Sequence, residues 1–169
     1  KTELVGKIAE FATEELKKMF VIAQQDLDAK KYDAAEASFL KLLEINDKDI
    51  EIYYGLGQCY HGKKNFDKAI EFFNKTLTFN PNHENALLFL SDTYKQMGNY
   101  DKSIEYLEKV ATVKNDENQW LFIAVLSNEK GYSDKAMLAL DNVLKINSNN
   151  EKARNLYAKI AYDLKDYTK

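Results

Sequence analysis

A chain of 169 residues with 45% hydrophobic and 30% charged side chains is long enough for one well-buried domain or a short array of smaller units, and its balance is not that of a disordered segment. A net charge of -3, spread with no compensating basic block, speaks against nucleic-acid binding, which draws its affinity from clustered Lys and Arg. No apolar run approaches the ~18 residues of a membrane span, so no membrane insertion is expected.

One Pro and six Gly are too few for a sandwich or barrel, which needs turn residues every ~8–12 positions, and a mostly helical chain is expected. Residues 4–12 (Leu-Val-Gly-Lys-Ile-Ala-Glu-Phe-Ala) carry a helical pattern in phase with Phe39 through Ile45. They read either as the remnant of a preceding unit or as part of a longer first helix. A phrase then recurs: Tyr32-Asp33-Ala34-Ala35, Phe66-Asp67-Lys68-Ala69-Ile70, Tyr100-Asp101-Lys102-Ser103-Ile104 and Ser133-Asp134-Lys135-Ala136-Met137. Its Asp residues fall 34, 34 and 33 apart. Such a period marks stacked supersecondary units, each too small to bury its apolar face alone.

Within a period, apolar residues recur at helical spacing in two blocks, as in Tyr53, Leu56, Gly57, Tyr60 and then Phe66, Ala69, Ile70, Phe73, Leu77. Each unit therefore reads as a helical hairpin. Its turn falls at Lys63-Lys64-Asn65, Met97-Gly98-Asn99 or Lys130-Gly131-Tyr132, where Gly98 and Gly131 suit a left-handed backbone. Between units the breaks fall at Asn46-Asp47-Lys48-Asp49, Asn80-Pro81-Asn82, Lys114-Asn115-Asp116 and Asn147-Ser148-Asn149-Asn150, with Asn and Asp as helix caps and Pro81 at the first turn of the next helix. Ala23, Gly57, Ser91 and Ala124 face Ala35, Ala69, Ser103 and Ala136, small against small, which permits close axial approach.

These residues resemble the tetratricopeptide repeat. Residues 50–83 match its pattern best, with Tyr53, Leu56, Gly57, Tyr60, Ala69, Phe73 and Pro81 at the signature places. The first unit is the most degenerate, with Met19, Ile22, Ala23, Tyr32, Ala35 and Phe39, and Asp26 where an aromatic is usual. The resemblance implies an all-α fold, a right-handed superhelical solenoid of antiparallel helix hairpins forming one domain over 1–169. Its expected parts are 1–13 as an extra helix or repeat remnant, repeats at 16–49, 50–83, 84–116 and 117–150, and 151–169 as a capping helix or the start of a truncated fifth repeat. Lys165-Asp166-Tyr167-Thr168-Lys169 aligns with the turn phrase from Lys64, so both ends are expected to cut through a repeat and an upstream segment to have been removed.

Catalysis needs a nucleophile, a base and an orienting group together, and little here supplies them. His61 and His83 share no metal-ligand spacing with Cys59, no Gly-rich phosphate loop exists, and neither enzymatic activity nor a cofactor is expected. Cys59 and Trp120 are expected in the core, and His83 in a solvated turn.

The resemblance places ligand contacts on a concave face of the first helices. Here that face carries Phe20, Gln24 and Leu27, then Tyr54, Gln58 and His61, then Leu88, Asp92 and Lys95, then Leu121, Val125 and Asn128, and finally Asn155 and Lys159. Phe20, Tyr54, Leu88 and Leu121 make an apolar row, one per unit, with Phe89 and Phe122 beside it; such a row is either a docking surface or packing between repeats. Cationic clamps for acidic tails are missing, since Phe20, Gln24, Gly55, Asn85 and Phe89 fill those places. A protein or peptide partner bound in this groove is the expected function. A structural spacer or self-assembly segment joined through repeat ends is the alternative, and both cytoplasm and bacterial periplasm or cell envelope remain open.

Overall fold

The computed structural model describes residues 2–166, with side chains described for 13–165. Among them nine α-helices follow one another without a strand: α1 (Thr2–Asp28), α2 (Tyr32–Ile45), α3 (Ile50–Gly62), α4 (Phe66–Phe79), α5 (Glu84–Gln96), α6 (Tyr100–Lys114), α7 (Glu117–Glu129), α8 (Ser133–Ile146) and α9 (Glu151–Asp166). The chain divides into two compact units, Lys1–Thr93 and Tyr94–Lys169, with the division inside α5. In the first, α1 packs on α2, α2 on α3 and α3 on α4; in the second, α6 packs on α7, α7 on α8 and α8 on α9. Residues 2–12, read either as a separate helix or repeat remnant or as part of a longer first helix, run in one helix with 13–28, as the last of these readings has it; their side chains lie outside the described residues, as do Tyr167, Thr168 and Lys169.

The small residues expected at the helix crossings are buried: Ala23, Ala35, Ala69, Ser103, Ala124 and Ala136 have no exposed surface, and Ser91 almost none. At Gly57 the approach leaves no room for a methyl group, because a Cβ there would sit 2.5 Å from the Phe73 ring; at Gly55 it would meet the Phe39 ring at the same distance. Leu56, Phe39, Phe73 and Cys59 fill the rest of the first core. In the second unit Ile104, Trp120, Ile123, Leu140, Val143 and Ile160 do so, with Leu107, Leu121 and Leu156 packed at its margin.

The hairpin turns repeat to the residue. Lys30, Lys64, Gly98 and Gly131, each three positions before the Asp of the recurring phrase, all have positive φ of 59° to 80°. Each donates its N–H to the carbonyl three residues back, as Lys64 does to His61 (2.9 Å) and Gly98 to Lys95 (3.0 Å). The next residue reaches five back, as in Asn65 N–H to Tyr60 O and Asn99 N–H to Tyr94 O, both 2.9 Å. Carbonyls orphaned at the helix end are thereby satisfied. Gly98 and Gly131 meet the expectation drawn from their identity; Lys30 and Lys64 hold the same backbone despite a Cβ that costs about 1–2 kcal/mol there.

A second repeated device is a sandwich of rings and ammonium groups. Tyr60 stacks on Phe72 (5.4 Å) with Lys68 over the Tyr60 ring (4.8 Å) and Lys75 over Phe72 (5.2 Å). Thirty-four residues on, Tyr94 stacks on Tyr106 (5.7 Å) with Lys102 over Tyr94 (4.9 Å) and Lys109 over Tyr106 (4.5 Å). Ser127 and Ala139 stand at these places in the next period, so the sandwich ends there.

Three of the four links between repeats are four-residue Asx turns, in which Asn46, Asn80 and Asn147 accept from the N–H two residues on. Pro81 lies in such a link rather than in the first turn of α5, which begins at Glu84. The remaining link is shorter: α6 runs on to Lys114, Asn115 turns left-handed at φ 50°, and Asp116 caps α7 by accepting from Asn118 N–H at 2.9 Å. That accounts for the one period of 33.

Two substitutions check this geometry. Lys64→Gly, removing the strained Cβ, is expected to raise the stability of the first unit by about 0.5–1 kcal/mol. Gly57→Ala, forcing a methyl into the Phe73 ring, is expected to lower it by about 2 kcal/mol. Urea midpoints of the two variants read both signs.

Candidate functional site

The first-helix face is best followed unit by unit. In the first unit Phe20 is half-buried with its ring edge-on to Phe39 at 5.8 Å, and Gln24 donates from Nε2 to Asp28 at 3.2 Å. Leu27, assigned to this face, is instead in the core: it sits where α1 meets the turn, one helical step too far inward. Ile22, assigned to a signature core place, is half exposed.

On α3, Tyr54 stands in an aromatic cluster with His83 (ring centroids 4.9 Å), Phe89 (5.9 Å) and Phe73 (6.0 Å), while Phe89 stacks on Phe73 at 5.3 Å. Tyr54 is thus committed to packing among α3, α4 and α5, and both it and Leu88 are partly buried. Burial and the nearby Glu51 push the Tyr54 hydroxyl up to about 12. Gln58 is half-buried, and its Oε1 has no hydrogen-bond partner.

The two histidines lie at opposite ends of the α3 to α5 contact. Contrary to the solvated turn expected of it, His83 is 13% exposed at the side chain. Its Nδ1 accepts the Ala86 N–H (3.2 Å), capping α5, and its Nε2 faces Glu51 at 3.7 Å. The ring fits because Tyr54 offers it a flat apolar surface. His61 meets Thr93 and Asp92 of α5. Thr93 directs its one hydroxyl hydrogen at Phe89 O (2.6 Å), so it accepts from His61 Nδ1–H at 2.9 Å, which leaves Nε2 facing the Asp92 carboxylate at 3.3 Å. Burial lowers the His61 pKa below its ordinary value, and the pull of Asp92 toward the charged form only partly offsets this.

A further contact joins α2 to α3. Lys63 pairs with Asp33 (2.5 Å) and Glu36 (2.8 Å), and Tyr60 donates its hydroxyl to Glu36. Burial works to raise the Glu36 pKa, yet the hydrogen bonds from Lys63 and Tyr60 outweigh it and hold the carboxyl below its usual range. Cys59 is buried, and desolvation raises its thiol to about 12, far from the thiolate a nucleophile needs. Among the described residues no three His, Cys, Asp or Glu side chains form a metal-sized group, and no helix is long and apolar enough to cross a membrane.

In the second unit Leu121 packs at the core margin and Asn128 is half-buried, while Lys95, Asn155 and Lys159 are exposed. On α7 the open apolar side chains are Phe122, 59% exposed, and Val125, 40% exposed. Both come from Trp120–Leu126, seven consecutive apolar residues, so α7 is apolar around its whole circumference with one side in solvent.

An open cleft of about 510 Å³ lies among α1, α2 and α3, with apolar walls from Leu16, Phe20, Val21, Leu42, Ile45 and Ile52. Of the residues expected to form a groove, only Phe20 reaches it.

Models of the tetratricopeptide repeat match residues 50–83 and 84–117. With the all-helical hairpins and their shared turn, they define a helical-repeat protein of the interaction-scaffold class that carries tetratricopeptide repeats over residues 50–117. Its fold is similar to that of MamA in two crystal structures: 22% identity over 87% of this chain and 86% of the other with a TM-score of 0.66, and 16% identity over 90% of each with 0.63. It is also similar to a chain of the APC/C hetero-tetramer Cut9-Hcn1, at 20% identity and 0.57, over 84% of this chain and 29% of that one. No curated protein matches the sequence.

The His61 geometry has a pH consequence. With a folded pKa below the unfolded value of about 6.5, the unfolded state binds the proton first, so this contribution to stability is complete above that pH and lost as pH falls beneath it. The urea midpoint of the first unit is expected to drop from pH 7.5 to 5.5, and to drop less in His61→Gln.

Proposed function

We propose that the chain is a non-catalytic interaction module that holds a peptide or helix of a partner protein in the concave groove of its first helices, within repeats at 16–49, 50–83, 84–116 and 117–150 closed by 151–169. The observation that carries this reading is α7. A helix apolar all round is ordinarily covered on every side, and Phe122 and Val125 remain open. The equivalent of Phe122 one period earlier, Phe89, is covered by Tyr54, Phe73 and His61, so exposure is not a general property of that position. A partner helix presenting apolar residues at i, i+3 and i+4 supplies the missing cover. With few fully enclosed anchors its affinity falls near micromolar, about -8 kcal/mol.

One observation favours the alternative, a spacer or self-assembling segment. Ala158 is exposed on α9, whereas Ala23, Gly57, Ser91 and Ala124 at the same place are all buried. A mass that rises with concentration in light scattering, and does not in Ala158→Glu, marks that reading.

For the interaction module, Phe122→Glu with Val125→Glu is expected to leave the circular-dichroism melt within about 0.5 kcal/mol of the parent, since both are surface positions. The same pair is expected to cut capture of the partner from an extract of the source cells at least tenfold. Unchanged capture removes the α7 face from the account.

A further inference from the structure

The cleft among α1, α2 and α3 has an internal counterpart. Shifted by 34 residues, its wall residue Phe20 becomes Tyr54, Ile45 becomes Phe79, Asp49 becomes His83 and Lys17 becomes Glu51. At that counterpart the space over the aromatic platform is filled from within, by the His83 ring lying on Tyr54 with Nε2 toward Glu51. Asp49 performs only half of that role. Like His83 it caps the following helix, accepting from Glu51 N–H at 3.0 Å, but it has no ring to lay on Phe20. The first repeat thus keeps a seat shaped for a flat ring, with Phe20 already fixed edge-on against Phe39, and no residue of its own to fill it.

Charge identifies the ring. At the counterpart a ring N–H meets a carboxylate; here the matching wall residue is the cation Lys17, so the complementary ring carries an oxygen acceptor at that edge. Lys17 is engaged with Glu14 at 3.0 Å through one of its three donor hydrogens, and its side chain is otherwise largely exposed. A volume of about 510 Å³ admits one phenol ring and part of a neighbouring residue, inside the ~300–1,000 Å³ of typical ligand sites. We propose that this cleft seats a tyrosine side chain of a partner peptide, its ring against Phe20 and its hydroxyl oxygen accepting from Lys17. The proposal rests on the reading of the chain as an interaction module and names a residue type that the partner presents to its first repeat.

The test titrates the full chain with acetyl-Gly-Tyr-Gly-amide and its Phe counterpart, following the methyl signals of Ile45, Ile52 and Val21. The expected result is saturable shifts with the tyrosine peptide binding at least threefold tighter than the phenylalanine peptide. Lys17→Met, at an exposed position, is expected to erase that preference while the melt is unchanged. Asp49→His, which builds the His83 plug into the first repeat, is expected to weaken both peptides more than tenfold. Equal binding of the two peptides by the parent, a preference that survives Lys17→Met, or shifts confined to other methyl groups overturns the proposal. None of these outcomes bears on partner capture by the α7 face, so the two readings fail separately.

Discussion

Side-chain-free approach of helix to ring is the constraint on which the rest depends. Where Gly57 meets Phe73, and Gly55 meets Phe39, the backbone of α3 lies against aromatic faces at a distance no Cβ tolerates. Small residues stand buried at the equivalent places of the other hairpins. Close crossing fixes which residue of each helix points at its partner, and the 34-residue period follows, because a slip of one residue would replace a small side chain by a large one. The stability of any one hairpin is not its own: its apolar faces are closed by neighbours, as in other stacked repeats.

Around that contact the chain uses two kinds of turn. The turn inside each hairpin is the same four times, with a left-handed residue and the same pair of hydrogen bonds, whether the residue is glycine or lysine. The turn between hairpins is an Asx turn three times and a left-handed asparagine once. Uniformity inside and variety between are consistent with the tight crossing: the inner turn is dictated by two helices in contact, while the outer one has only to deliver a capped helix.

The period, the helix pairs, the turn positions and the buried small residues were all legible in the sequence, because each rests on local spacing that a single chain displays. Lys30 and Lys64 were not, since their identity says nothing of a positive φ and only the equivalence with Gly98 and Gly131 points to it. His83 was misread because a polar residue beside Pro81 looks like a solvated loop, and the pull of the Tyr54 ring is a long-range effect. The apolar row from Phe20 to Leu121 was legible as a row but not as a surface: packing half-buries each of its members, and on α7 the side chains left open are Phe122, read as lying beside the row, and Val125, read on the same face one turn beyond Leu121. The signal for them was present in the unbroken apolar run of α7, whose length exceeds what one buried face requires.

In the proposed reading, function comes from what the repeats leave uncovered; the single thiol is buried and both histidines are tied into helix contacts. Differences between equivalent positions carry the information: Phe122 against Phe89, Asp49 against His83, Ala158 against Ala124. All of these comparisons presuppose the register set by the glycine and ring contacts. Proton nuclear Overhauser spectra of the full chain test it most directly. The account predicts strong cross-peaks from the Gly57 Hα protons to the Phe73 ring and from the Gly55 Hα protons to the Phe39 ring, with upfield ring-current shifts of both glycines. Glycine signals at ordinary positions without those cross-peaks would contradict it.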